Sequence, residues 1–146
     1  MKMSKTIEPN LLSVCGMNCL VCYKHCAAKS AKHQCPGCLS NNPDKPKHCR
    51  ICKIKACADG KGNKRCLDCK TFPCTLIKNL EKSYNKRYSE SLVVNSVYVR
   101  ENGIEAFMKS ERQNRICADC GGVISLHDKV CSDCQRDYAP GKAGKE

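Results

Sequence analysis

The sequence predicts a small metal-stapled protein of low regular structure. It combines a cysteine-rich zinc module, a short α-helical segment and a C-terminal zinc-ribbon β-hairpin. Three observations predict it. Sixteen of the 146 residues are cysteine, above the roughly 8–10% at which a short chain is suspected of covalent or metal stapling. Six cysteine pairs sit three positions apart: Cys19/Cys22, Cys35/Cys38, Cys49/Cys52, Cys66/Cys69, Cys117/Cys120 and Cys131/Cys134. Random placement gives roughly two. The apolar complement is also thin. It is 41% only because cysteine is counted, with no tryptophan and two phenylalanines. Burial alone cannot hold such a chain, and cross-links must supply the difference.

The choice between disulfide and metal turns on compartment and spacing. Met1 to Pro9 carry no apolar run of signal-peptide length, and no stretch approaches the 18–20 apolar residues of a membrane span. The expectation is a cytoplasmic chain with reduced thiols and no membrane contact, where paired cysteines bind metal. A C-x2-C turn points both sulfurs at one centre, as tetrahedral zinc requires.

Residues 1–12 read as an N-terminal tail. Residues 13–76 form the metal-binding module, with twelve cysteines punctuated by glycine and proline. Spacing groups Cys15, Cys19, Cys22 and Cys26 as one site. Cys35, Cys38, Cys49 and Cys52 make a second, and Cys57, Cys66, Cys69 and Cys74 a third. Neighbouring pairs often interleave, so this partition stays open. Residues 77–113 lack cysteine and read as helical. Leu76, Ile77 and Leu80 mark a first helix. Ser89 is the expected cap of a second, with Leu92, Val93, Val97 and Val99 as its apolar positions. The valines leave a strand over 92–99 as the alternative. Asn102-Gly103 ends that element, and Ile104, Phe107 and Met108 mark one face of a third, short helix.

Residues 114–138 read as a zinc ribbon. Cys117, Cys120, Cys131 and Cys134 are the fourth ligand set. Gly121-Gly122 supplies the left-handed residue a knuckle needs, and Val123 to His127 are the expected strand. Residues 139–146 read as a C-terminal tail. Four sets use all sixteen cysteines, so about four zinc ions per chain are expected.

The formal net charge is +12. Each ion held by four thiolates carries a net charge of −2, so four sites bring the total to about +4. The positive excess lies in residues 1–74, where most cysteines lie. Lysines that balance thiolate charge explain it; a nucleic-acid surface is the alternative. His25, His33, His48 and His127 lie near cysteines and could replace a thiolate, His33 or His48 before the others. Closed thiolate sets leave no open coordination position. No phosphate loop or paired-carboxylate site stands out, so the chain is expected not to be an enzyme. The expected partner is a protein of unknown identity. Iron–sulfur clusters, which also use four thiolates, are the alternative cofactor, and electron transfer the alternative role. The ferredoxin run C-x2-C-x2-C-x3-C-P is absent.

The N-terminal region resembles the cysteine-rich domain-of-unknown-function family 3795. The residues that carry the likeness are Cys15-Gly16-Met17-Asn18-Cys19-x2-Cys22, Cys35-Pro36-Gly37-Cys38, Cys52-Lys53-Ile54-Lys55-Ala56-Cys57 and Cys66-x2-Cys69 closing on Phe72-Pro73-Cys74. A weaker likeness continues through Asn102 to Phe107. The resemblance implies zinc binding with no settled activity. The family pattern stresses Cys52-x4-Cys57 and makes Cys26 and Cys49 additions. It thereby implies, as an alternative, a metal shared by Cys52 and Cys57 and three sites instead of four.

Overall fold

The computed structural model describes residues 1–27, 34–40 and 45–138. Short helices carry the cysteine-rich part: α1 (Tyr23–Cys26), α2 (Lys47–Arg50) and α3 (Lys53–Gly60). Three longer helices follow: α4 (Thr75–Tyr88), α5 (Leu92–Asn102) and α6 (Ile104–Asn114). Single 3-10 turns lie at Pro9–Leu11, Cys19–Val21 and Cys66–Asp68.

The valine-rich segment is helix, so the strand alternative over 92–99 fails. Ser89 is not its cap. It takes a left-handed φ of 54° and ends α4. Ser91 starts α5 instead, its hydroxyl accepting from the Val94 amide at 3.0 Å. A Glu81 carboxylate on α4 accepts from the Leu92 amide at 2.7 Å and from the Ser91 hydroxyl at 2.5 Å. The orphan donors of the α5 N-terminus are thus satisfied by the preceding helix. Gly103, at φ 94°, ends α5 where Asn102-Gly103 predicts. The next helix buries Phe107 and Met108 as expected, and runs eleven residues.

The main core joins distant parts of the chain. Leu12, Val21, Leu92, Met108, Val123 and Leu126 are all nearly or wholly buried in it. A second cluster, Val14, Ile54, Ala58, Cys66 and Ile77, ties α3 and α4 to the first cysteine turn. Gly16 makes that turn feasible. Its φ is 100°, and a Cβ there would stand 2.7 Å from the Leu92 carbonyl oxygen and 2.6 Å from Ser96 Oγ. The cysteine turn therefore docks directly on the backbone of α5.

The C-terminal unit differs from the expected hairpin. Among the described residues it forms no strand, only isolated antiparallel bridges: Ile116 with Val123, Ile124 with Cys131 and Val130 with Asp137. Its backbone bonds go outward as well as across. The Val123 amide donates to the Met1 carbonyl at 2.8 Å, Met3 donates to Gly121 at 2.9 Å, and Leu126 donates to Val21 at 2.9 Å. These outward bonds replace the regular ladder a free-standing hairpin would need. Residues 1–3 are accordingly paired with this unit, and Val123 and Leu126 complete the main core.

Candidate metal centres

The C-terminal quartet is the most fully formed site. The Sγ atoms of Cys117, Cys120, Cys131 and Cys134 all lie within 4.8 Å of one another. Cys117 and Cys134 are 3.7 Å apart, and Cys120 and Cys131 3.5 Å. Tetrahedral Zn–S bonds of about 2.3 Å put sulfurs about 3.8 Å apart, so the donor set fits such an ion. The backbone around it is arranged for thiolates. The Gly122 amide points at Cys120 Sγ at 3.3 Å, and the Asp133 amide at Cys131 Sγ at 3.4 Å. Gly122 has no room for a side chain, since a Cβ would stand 2.8 Å from Cys131 Sγ and 3.2 Å from Cys120 Sγ. The left-handed residue is Gly121, at φ 78°.

One residue here escaped the sequence reading. The Tyr138 hydroxyl lies 3.1 Å from Cys117 Sγ, and the Ala118 amide donates to it at 3.2 Å. Against a thiolate the hydroxyl is the donor. Burial works to raise the Cys117 thiol. The Tyr138 hydroxyl, the amides of Cys120 and Asp119 and the Cys134 thiol outweigh it and bring Cys117 down to about 6. An aromatic four residues beyond the last cysteine was the only available signal.

The same amide-to-sulfur arrangement recurs upstream. Amides two residues on favour the thiolates of Cys15 (from Met17), Cys22 (from Lys24) and Cys69 (from Thr71). Cys52 and Cys74 stand immediately before the first turns of α3 and α4.

Two cavities divide these cysteines. The smaller, about 20 Å³, is lined by Cys57, Cys66, Cys69 and Cys74, the third set expected from spacing. The Thr71 hydroxyl lies 3.2 Å from Cys69 Sγ and lowers that thiol, while burial and the neighbouring thiolates push Cys66 up to about 12. The larger, about 520 Å³, is lined by Cys15, Cys19, Cys22, Cys35, Cys38, Cys49 and Cys52, together with His25, His48 and His127. The first two expected sets, Cys26 excepted, therefore share one cavity. Cys52 and Cys57 fall on different ones. Among the described residues, the only three or more donor atoms gathered within 4.8 Å are the C-terminal quartet.

Cys26 stands apart. It is 1% exposed, sits in the main core and does not line the cavity. Burial and the Cys22 thiolate push it up to about 11. Of the histidines, His33 lies outside the described residues. His127 is held edge-on by Tyr23 and Tyr88, with centroids 4.7 and 4.8 Å away; burial lowers its pKa.

Three basic residues near the cysteines are spent internally, while Lys61, 3.9 Å from Cys69 Sγ, stays exposed. Lys45 is buried and donates to the carbonyls of Cys38 and Ser40 at 2.9 and 2.7 Å, and Lys55 donates to Cys38 at 2.9 Å. Arg65, also buried, donates to Leu12 and Pro9. They set positive charge beside the sulfurs, as thiolate compensation predicts.

The fold and sites define a small, mostly helical, cysteine-rich protein with four cysteines placed so that they could hold a metal ion. Residues 11–79 match the model of the family described as a protein of unknown function (DUF3795), the family that the N-terminal region resembles. The match takes in the cysteine turns and the start of α4. It stops short of the weaker likeness at 102–107 and of the C-terminal quartet. No curated protein and no solved structure matches the chain. No helix among the described residues is long and apolar enough to cross a membrane.

Proposed function

We propose that this is a non-enzymatic zinc protein whose ions are structural and whose role is to present a folded surface to a protein partner in the cytoplasm. The observation that carries the reading is the closed C-terminal quartet. Four thiolates fill a tetrahedral shell and leave no position for a water or substrate. Zinc here would act through folding, on the order of 10 kcal/mol of apparent binding energy per site. A protein partner is favoured over nucleic acid because Lys45, Lys55 and Arg65 are turned inward, while Val94, Val97 and Tyr98 are exposed on α5.

An iron–sulfur carrier is the second reading. It is favoured by one observation, the size of the central cavity and its seven thiols. Elemental analysis of anaerobically purified protein separates the two. Four zinc and no iron per chain support the zinc reading. Substantial iron with visible charge-transfer absorption sinks it.

A further inference from the structure

We infer that the central cavity holds two metal ions through its seven cysteine thiolates and the Nε2 of His25, with Cys26 outside the ligand set. This rests on the zinc reading above and deepens it. Two four-coordinate ions need eight donors. Sixteen cysteines less the C-terminal quartet and the four on the small cavity leave eight. Only seven of these line the central cavity, because Cys26 is turned into the core among Leu20, Val21 and Leu126. The missing donor is the adjacent residue. His25 and Cys26 are successive positions of α1, about 100° apart around a helix. The turn that buries one presents the other to the cavity.

His25 is prepared for the role. His25 lines the cavity, and its Nδ1 lies 2.6 Å from the Cys35 carbonyl oxygen. A carbonyl only accepts, so Nδ1 carries the proton and the neutral ring keeps its lone pair on Nε2. A ring N–H tied to a backbone carbonyl is the arrangement that fixes tautomer and orientation in metal-bound imidazoles. The carbonyl belongs to Cys35, itself on the cavity, so ligand and support move together. His48 also lines the cavity, but the described contacts give its ring no such anchor. Three thiolates and one neutral imidazole also lower the site's net charge to −1. That eases the crowding of seven thiolates around one buried space.

The test uses the full-length protein with its metals exchanged for cadmium-113. The expected spectrum has four resonances, three in the tetrathiolate range and one in the three-sulfur, one-nitrogen range. His25→Gln should move or abolish that one and leave the other three. Cys26→Ala should retain four ions with all four resonances. In the unmodified protein, nitrogen-15 spectra should show the His25 Nε2 signal split by cadmium, a readout that needs no variant to fold. Four tetrathiolate resonances in the unmodified protein, or loss of an ion in Cys26→Ala but not in His25→Gln, overturn the inference. Metal identity in the protein as isolated tests the zinc reading separately. Iron there, together with a nitrogen-bearing cadmium signal that answers to His25, sinks that reading and leaves the ligand assignment standing.

Discussion

The C-terminal quartet and the central cavity use the same chemistry at different ranges. The quartet draws its sulfurs from two turns within 18 residues of sequence, and they already lie within 4.8 Å. The central donors come from the turn at Cys15, the 3-10 turn at Cys19, the starts of α1 and α3, the loop at 35–38 and α2. No three of them are that close. Local turns can aim sulfurs by backbone geometry alone. Donors on separate elements must wait for those elements to pack, and their mutual repulsion opposes it.

The largest test of that contrast is chelation under reducing conditions. Loss of all metal should abolish cooperative unfolding in calorimetry. At on the order of 10 kcal/mol per ion, any one site rivals the roughly 5–15 kcal/mol total stability of a small domain. A sharp transition surviving in chelator breaks the picture. Gly122→Ala comes next. The added methyl meets Cys131 Sγ and Asp133 Cβ, each at 2.8 Å, so one ion per chain should be lost while the central ions stay. Gly16→Ala strains the other region: a left-handed residue gains a Cβ against α5, at about 3 kcal/mol. Denaturant titration at saturating zinc reads it, and an unchanged midpoint would refute the docking of that turn.

Acid should separate the regions by order of release. Cys15 and Cys49 are pushed up to about 11, mainly by burial, so each must give up a tightly held proton to bind metal. In the C-terminal quartet the shifts oppose one another, Cys117 brought down to about 6 and Cys134 pushed up to about 12, whereas on the central cavity Cys15, Cys19, Cys22 and Cys49 are all raised. Falling pH strengthens proton competition most where the thiols are most basic. The central ions should therefore leave at higher pH than the C-terminal ion, followed with a chromophoric chelator in Gly122→Ala and the parent. Release of the C-terminal ion first would reverse the comparison. The smallest effect expected is that of Tyr138→Phe. Removing the hydroxyl on Cys117 should weaken that one site on the order of tenfold, with the ion still bound at saturating zinc. A competition titration measures it.

What was legible in the sequence follows the same division. The quartet is readable because turns encode it locally; Cys57, Cys66, Cys69 and Cys74 line one small cavity without gathering within 4.8 Å. The helices over 75–114 were readable from apolar spacing and from Gly103. Ser89, the expected cap, is displaced by Ser91 because the deciding group, Glu81, comes from another helix. The hairpin holds only in part: Ser125 and Val123 bond Val130 and Ser132 across the turn, yet the amides of Val123, Ile124 and Leu126 go to Met1, Arg115 and Val21. His25 against Cys26 could not be settled from adjacency. Which of two successive helical residues faces a cavity depends on the core beneath, and that core includes Leu126, a hundred residues away.

The pairing of residues 1–3 with residues 121–123 bears on how the chain is made. During synthesis the first residues emerge long before their partners, and Val21 has neither Val123 nor Leu126 to pack against. The main core stays open on one side until Val123 and Leu126 have left the ribosome. Capture of an ion by the C-terminal quartet would then come late, since its sulfurs flank Val123 and Leu126, the core residues furthest along the sequence.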